Sequence, residues 1–451
     1  MLPQFVGDVD WVEKNLHPTH YQLDLRLKWP SSIGGTEIVR YTNAENVPLD
    51  KVYFRLFPNL PGWASKTDVK GVWLDGRPVD WSLESSRTAL EVPFARKLRP
   101  GQSVKIAIRF SVDIPPGEGT SYGVFGYKDG VLSLAHFYPM IPAFDSQGWH
   151  IEIPAPYGDL TYSDTSFYYV RLSADRSDLR LAASGKVLSH RVENGRSTWT
   201  IASGPMRDIN LLLSQDFGTA SKDVDGTRVT SYFRTGDSEG GKRVLEYASN
   251  ALAYYSNSFG KYPFNELDVV ESGTTAGGIE YPGLVVISDM YYSEVGGFLE
   301  FATAHEVGHQ WWYSLVGNDQ LNHPWLDEAL TNYSTYLFER DTHGESVGKQ
   351  VFKDFFQVPY ESAGDKKGLP IGLPVKEYGD EGTYGKIVYG KGPLFFDELK
   401  KEVGEKVFFR ILRTYFERYK YRTATPEDFL RIANSVSGRN LAPLFDRWGA
   451  R

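Results

Sequence analysis

His305, Glu306 and His309 stand in the order His-Glu-Val-Gly-His, and Glu328 comes nineteen positions after His309. Two histidines four apart on a helix lie one turn from each other, so both imidazoles reach a single cation. A catalytic zinc takes three protein ligands and keeps one position open for water. His305, His309 and Glu328 supply that ligand set if Glu328 comes from a following helix. Glu306 is then left free as a general base.

A His-Glu-x-x-His string arises by chance in roughly one such chain in a hundred, so its surroundings decide its weight. Phe298 to Ala304 leads in, and Gln310-Trp311-Trp312-Tyr313-Ser314-Leu315-Val316 leads out. The run is apolar around most of its circumference, which marks a buried helix. Two histidines and a glutamate on a buried helix need partners, and a metal ion provides them. The residues after His309 exclude other zinc classes, because a third histidine after a glycine is missing. Met1, Met140, Met206 and Met290 all precede the motif, so no methionine turn can come after it. His323 lies in the turn-like Asn322-His323-Pro324 and reads as a surface or supporting residue rather than a ligand.

The elements that must position these groups divide the chain by periodicity. Short alternating runs fill Tyr21 to about Phe217, among them Tyr21–Leu27, Val104–Phe110, Tyr168–Leu172 and Ile209–Leu213. Such alternation predicts half-buried strands of an antiparallel sheet or sandwich. Helical patterns take over from Gly240: Lys242–Ser258, Leu299–Val316, Trp325–Asp341, Pro393–Val403, Val407–Tyr419 and Pro426–Ser435. Two strand-like runs, Leu267–Glu271 and Leu284–Ser288, bracket Gly277 to Glu280. The expectation is an α+β multidomain chain, with an antiparallel β domain over 1–217 and a mainly helical domain over 218–451.

A length of 451 residues exceeds what one core usually sustains. The net charge of −8 has no block of like sign, so neither nucleic acid nor an anionic membrane is an expected partner. With no cysteine there is no disulfide. No apolar run is long enough for a membrane span, and Met1 to Asp8 lacks the regions of a signal peptide, which points to the cytoplasm.

Three separated motifs resemble the M1 family of zinc aminopeptidases. They are His305-Glu-Val-Gly-His309 with Glu328, Gly277-Gly278-Ile279-Glu280-Tyr281 upstream, and Tyr389-Gly390-Lys391-Gly392 downstream. The family's middle motif is usually Gly-x-Met-Glu-Asn; here Ile279 replaces Met and Tyr281 replaces Asn. Phe259-Gly-Lys-Tyr-Pro-Phe264 is similar to the segment that precedes it. The resemblance is specific over about 230–450 and looser before that. It implies that the helical half is a thermolysin-like catalytic domain binding one zinc per chain. It also implies a short form, because the family's later β-sandwich and helical domains have no counterpart before Arg451.

The resemblance further implies roles. Tyr389 is the oxyanion donor, with Tyr384 as a lining residue. Glu280 pairs with the substrate's α-ammonium, Gly277 and Gly278 let backbone approach closely, and Ile279 touches the first side-chain pocket. Tyr138, in Ala135-His136-Phe137-Tyr138-Pro139, stands where relatives carry a second partner for the amine. Asn332, four residues after Glu328, is placed to orient a ligand histidine. The expected substrates are peptides with a free N-terminus; the alternatives are an endopeptidase with an open cleft and a non-catalytic peptide-binding scaffold. The oligomeric state is not legible in these residues.

Overall fold

The computed structural model describes residues 8–117, 121–293 and 297–451. Residues 1–7, which carry most of the stretch compared with a signal peptide, lie outside the described residues. The chain forms two compact units. The first takes in Met1–Ile153, Ser163–Leu245 and Pro263–Glu294, and the second Pro154–Tyr162, Glu246–Tyr262 and Val295–Arg451.

The first unit is built on an eight-stranded sheet. Its spatial order is Lys186–Glu193, Arg196–Met206, Ser166–Ala174, Thr19–Lys28, Ser32–Thr42, Ser103–Asp113, Thr67–Leu74 and Arg77–Pro78. Every neighbouring pair is antiparallel except Thr19–Lys28 with Ser166–Ala174, which run parallel with Leu23 opposite Val170. The alternation in Tyr21-Gln-Leu-Asp-Leu-Arg-Leu27 is the cause of its burial: Tyr21, Leu23, Leu25 and Leu27 are buried and the residues between them exposed. Ile209–Leu213 reads as a strand in the sequence, but the strand is Leu211–Ser214, in a second sheet beside Val131–Leu134.

A five-stranded sheet closes this unit, in the order Phe217–Val224, Thr227–Arg234, Glu266–Ser272, Leu284–Ser288, Gly278–Ile279. Its third strand and the turn after it are bonded to earlier parts of the same unit. Asp268 accepts from the Ala183 amide at 3.4 Å, Lys128 donates to the Gly273 carbonyl at 3.0 Å, and Thr274 donates to the Tyr122 carbonyl at 2.6 Å. The compact units therefore do not follow a single cut between 217 and 218.

The second unit is helical, with Gly297–Gly308, Glu328–His343, Gly392–Val403, Glu405–Tyr419 and Pro426–Ser437 as its longer elements besides the end of Ser238–Phe259. Aromatic side chains fill its core: Trp325 packs edge-on against Phe395, and Tyr415 against Phe429. Two expected helices differ at their ends. Leu299–Val316 stops at Gly308, because Tyr313 adopts φ 114° and the amides of Ser314, Leu315 and Val316 bond five residues back. Trp325–Asp341 splits into a 3-10 turn, Pro324–Leu326, and a helix that starts at Glu328. No described helix is long and apolar enough to cross a membrane.

Candidate metal centre

Gly297–Gly308 has a buried apolar surface formed by Leu299, Phe301, Ala302, Ala304 and Val307, which carries His305 and Glu306 inward with it. Its last residue is glycine for a packing reason. A Cβ on Gly308 would stand 2.9 Å from the Thr331 methyl on the helix that bears Glu328, so glycine lets the two ligand-bearing helices approach. His309 keeps the helical register by donating its amide to the His305 carbonyl at 3.2 Å. Beyond it the helix breaks, and the break has a use. The Trp312 carbonyl turns back to the His309 ring and lies 3.0 Å from Nδ1, with the Thr331 hydroxyl 3.2 Å from the same nitrogen. A proton on Nδ1, donated to that carbonyl, leaves Nε2 as a bare lone pair. The Trp312 indole is itself held at 3.0 Å by Ser334.

Glu328 is the first residue of its helix, and a relay fixes that start. Thr161 donates to the Gln320 side-chain oxygen at 2.8 Å, and Gln320 donates to Asp327 at 2.9 Å. Asp327 in turn accepts the Glu328 amide at 2.9 Å. The three ligand atoms then converge. His305 Nε2 and His309 Nε2 are 3.0 Å apart, and each is 3.3 Å from Glu328 Oε2. A tetrahedral ion with ligands at about 2.0–2.1 Å has ligand–ligand edges of about 3.3 Å, so the triangle has the size zinc requires. Burial by itself would raise the Glu328 carboxyl, but the two imidazoles beside it, His309 and His305, hold it well below the usual carboxylate range. Two imidazoles and an ionised carboxylate are among the described groups that can hold a metal ion. The residues fit zinc. Glu306, beside the first ligand, is only 5% exposed. His323 is not in the triad; it precedes the 3-10 turn at Pro324, with its amide bonded to the Asp319 carbonyl at 2.8 Å.

Tyr389 lies on a wide turn, the π-helix Gly385–Lys391. Its ring is 6.2 Å from that of His305, and burial together with the nearby Glu328 charge pushes its phenol well above the usual range, so it stays a neutral donor. Tyr384 stands edge-on to it at 5.7 Å. Asn332 does not orient a histidine: its amide donates to the Tyr389 carbonyl at 3.0 Å, because four residues beyond Glu328 the helix faces the π turn. Asp159, from the segment Pro154–Tyr162, was not legible as a site residue. Its carboxylate is within 4.8 Å of that of Glu328, and its charge also raises the phenols of Tyr384 and Tyr389. Nothing in its Pro-Tyr-Gly-Asp-Leu context signals this. Thr331, by contrast, could have been found as the residue three beyond Glu328 on the same helix face.

The remaining expected residues belong to the first unit. Gly278 and Ile279 form the edge strand of the five-stranded sheet, opposite Ile287 and Val286, and the Gly277 carbonyl accepts from Ser288 at 3.1 Å. Glu280 follows directly and is 7% exposed. Tyr138 does not line a substrate site. It is 1% exposed in the core, 5.6 Å edge-on from Tyr21, and its hydroxyl donates to Asp208 at 2.7 Å. A phenol already committed to a buried carboxylate is a packing and hydrogen-bonding residue. His136, its neighbour in sequence, contacts the other Asp208 oxygen at 2.7 Å and packs edge-on to Tyr281, ring centres 6.0 Å apart.

Residues 243–448 match the peptidase family M1 domain. Aminopeptidase M1-B of Oryza sativa subsp. japonica is 26% identical over 236 residues, 50% of this chain and 27% of that protein. Aminopeptidase 2 of Candida albicans is 22% identical over 455 residues, 96% of this chain and 47% of its own length. The chain thus spans half or less of these relatives. The M1 zinc metallopeptidase from Deinococcus radiodurans superposes with a TM-score of 0.72 at 17% identity, covering 96% of this chain and 95% of that one. At that identity the likeness is one of fold: a β-rich domain followed by a helical one.

Proposed function

We propose that this chain, a member of the M1 peptidase family, is a zinc aminopeptidase that releases N-terminal residues from peptides. The observation that carries the reading is the convergence of His305 Nε2, His309 Nε2 and Glu328 Oε2 at 3.0–3.3 Å, a spacing that one tetrahedral cation fits. Zinc held by these residues supplies a Lewis acid and an activated water. The functional catalytic domain is 218–451, around the family match at 243–448.

The chain's own groups divide the remaining work. Glu306 takes the proton of the attacking water and delivers it to the leaving amine. Tyr389, a neutral phenol, donates to the oxyanion, a role worth about 2.7–4 kcal/mol on the oxyanion-hole scale. Glu280 pairs with the α-ammonium of the substrate. Gly277 and Gly278 allow peptide backbone to approach the edge strand, and Ile279 touches the first side chain. Peptide substrates are supported by a variant of the Deinococcus radiodurans enzyme, whose structure is bound to a Tyr-Ser-Ala substrate.

Hydrolysis of free and N-acetylated aminoacyl p-nitroanilides, with and without a chelator, tests the reading. Wild type should cleave the free series, reject the acetylated one and lose activity on chelation. Glu306→Gln should abolish turnover while one zinc per chain remains. Glu280→Ala should lose about 2–5 kcal/mol in kcat/KM on free amines, the scale of a buried charge pair broken on one side. Equal wild-type rates on both series would favour an endopeptidase, and chelator-insensitive turnover would remove zinc from the reaction.

A further inference from the structure

We infer that Lys391 is a positioning residue for Tyr389, holding the π turn that aims the phenol at the metal centre. The inference rests on the reading of Tyr389 as the oxyanion donor. Lys391 closes the turn Gly385–Lys391, two residues after that phenol, and is 9% exposed. Its ammonium donates to the carbonyls of Lys367, at 3.0 Å, and Leu369, at 2.6 Å. It also lies 6.0 Å from the centre of the Tyr360 ring and 5.9 Å from that of Trp448. Among the described residues no carboxylate stands within ion-pair distance of it. A buried ammonium without a counter-ion is costly, and that burial lowers its pKa. It is tolerated because carbonyls left over at the end of the 3-10 turn Gly364–Gly368 need donors.

The glycines on either side explain why the cation is needed. A Cβ on Gly390 would meet the Tyr360 amide at 3.1 Å, and one on Gly392 would meet the Ala329 Cβ at 2.5 Å. Ala329 is the residue after Glu328. The turn therefore lies directly on the helix that presents the metal ligand, and side chains at 390 and 392 are given up to allow it. Glycine-rich backbone is intrinsically loose, and a π turn has poorer packing than an α-helix. Two polar clamps restore its position: Asn332 on the Tyr389 carbonyl, at 3.0 Å, and Lys391 on the opposite segment. That segment is in turn bonded to the C-terminal helix Ala442–Trp448, Ile371 donating to the Trp448 carbonyl at 3.1 Å.

A double-mutant cycle on leucine p-nitroanilide tests this, with kcat, KM, zinc content and Tm measured for each variant. Lys391→Met keeps the length of the side chain and removes its charge. It should lower kcat by about 10²-fold, the cost of a reacting group displaced by about 1 Å, with KM within about twofold and one zinc per chain. In a Tyr389→Phe background the same substitution should change kcat by less than about twofold, since no phenol remains to be misplaced. If Lys391→Met does not fold, Trp448→Leu removes one aromatic wall instead; it should slow kcat in the wild type and be silent beside Tyr389→Phe. A loss of equal size in both backgrounds, a rise in KM alone, or wild-type kcat would each overturn the assignment of Lys391 while leaving Tyr389 in place. Tyr389→Phe within about threefold of wild type would instead overturn the reading of Tyr389, and Lys391 with it.

Discussion

His305, His309 and Glu328 in one compact unit and His136, Tyr138 and Asp208 in the other both combine imidazole with carboxylate, and all six residues are buried. In the first cluster two imidazole nitrogens and one carboxylate oxygen converge at 3.0–3.3 Å. In the second, acceptors face donors: Asp208 receives the Tyr138 hydroxyl at 2.7 Å and the Ile209 amide at 2.6 Å, and His136 contacts its other oxygen at 2.7 Å. Both clusters are buried, so burial does not identify the functional one. What converges on the carboxylate does. Asp208 already receives a hydroxyl and an amide on one oxygen, whereas two imidazoles converging on one oxygen of Glu328 form a set that suits a cation.

The strongest way to break this contrast is to remove one acceptor from the first cluster. His309→Ala should lose the bound zinc and measurable turnover, well beyond the roughly 10–100-fold seen when only an outer hydrogen bond to a ligand is removed. A chelator should lower the Tm of wild type, since metal bound to the folded state stabilises it, and should not move the Tm of His309→Ala. One zinc per chain in the variant would show that the triangle is not the site.

The second cluster should respond in the opposite way. Tyr138→Phe leaves zinc content and kcat/KM within about twofold of wild type. It should cost about 1.5–3 kcal/mol in urea unfolding, the range for a hydrogen bond to a charged group. A tenfold fall in turnover on free-amine substrates would return Tyr138 to the amine site.

A smaller effect sharpens the comparison at an intermediate case. His343 lies 2.9 Å from Glu300 and 3.8 Å from Glu339, one imidazole serving two carboxylates. Glu339 is 5% exposed. Burial, reinforced by the Glu300 charge and only partly offset by His343, raises its carboxyl from 4.5 to about 7. Between those values the folded protein binds more protons than the unfolded chain, so stability falls as pH climbs through the window. Glu339→Gln should therefore raise Tm at pH 8 by a few degrees, at about 2–4 °C per kcal/mol. The gain should shrink toward pH 5. A gain independent of pH would mean that Glu339 is not ionised at a cost.

Much of the ligand set was legible because it is local. His305 and His309 are four apart in a continuous helical register, and the amide of His309 still bonds to His305. Glu328 was legible from the apolar pattern beyond it, although its helix begins later than that pattern suggests. Alternation in Tyr21–Leu27 was equally direct, since a period of two has only one way to bury its apolar side. The extension of the first ligand helix to Val316 was not borne out. Trp311 and Trp312 suit a buried helix, but their indoles bond to Gly260 and Ser334, and the chain turns at Tyr313 to satisfy them. Tyr138 misled for a related reason: its partner, Asp208, is 70 residues away in sequence.

What the sequence determined by itself is the chemistry that depends on spacing along one helix and on patterned burial. That comprises the pair of imidazoles, the adjacent Glu306, a β-rich first half and a helical second half. Tertiary structure alone decided which backbone carbonyl orients His309, which segment brings Asp159 near Glu328, and what clamps hold Tyr389. Each of those contacts joins groups from different segments or depends on a break in regular structure. Periodicity encodes the face an element buries, and it carries no record of the partner that face will meet.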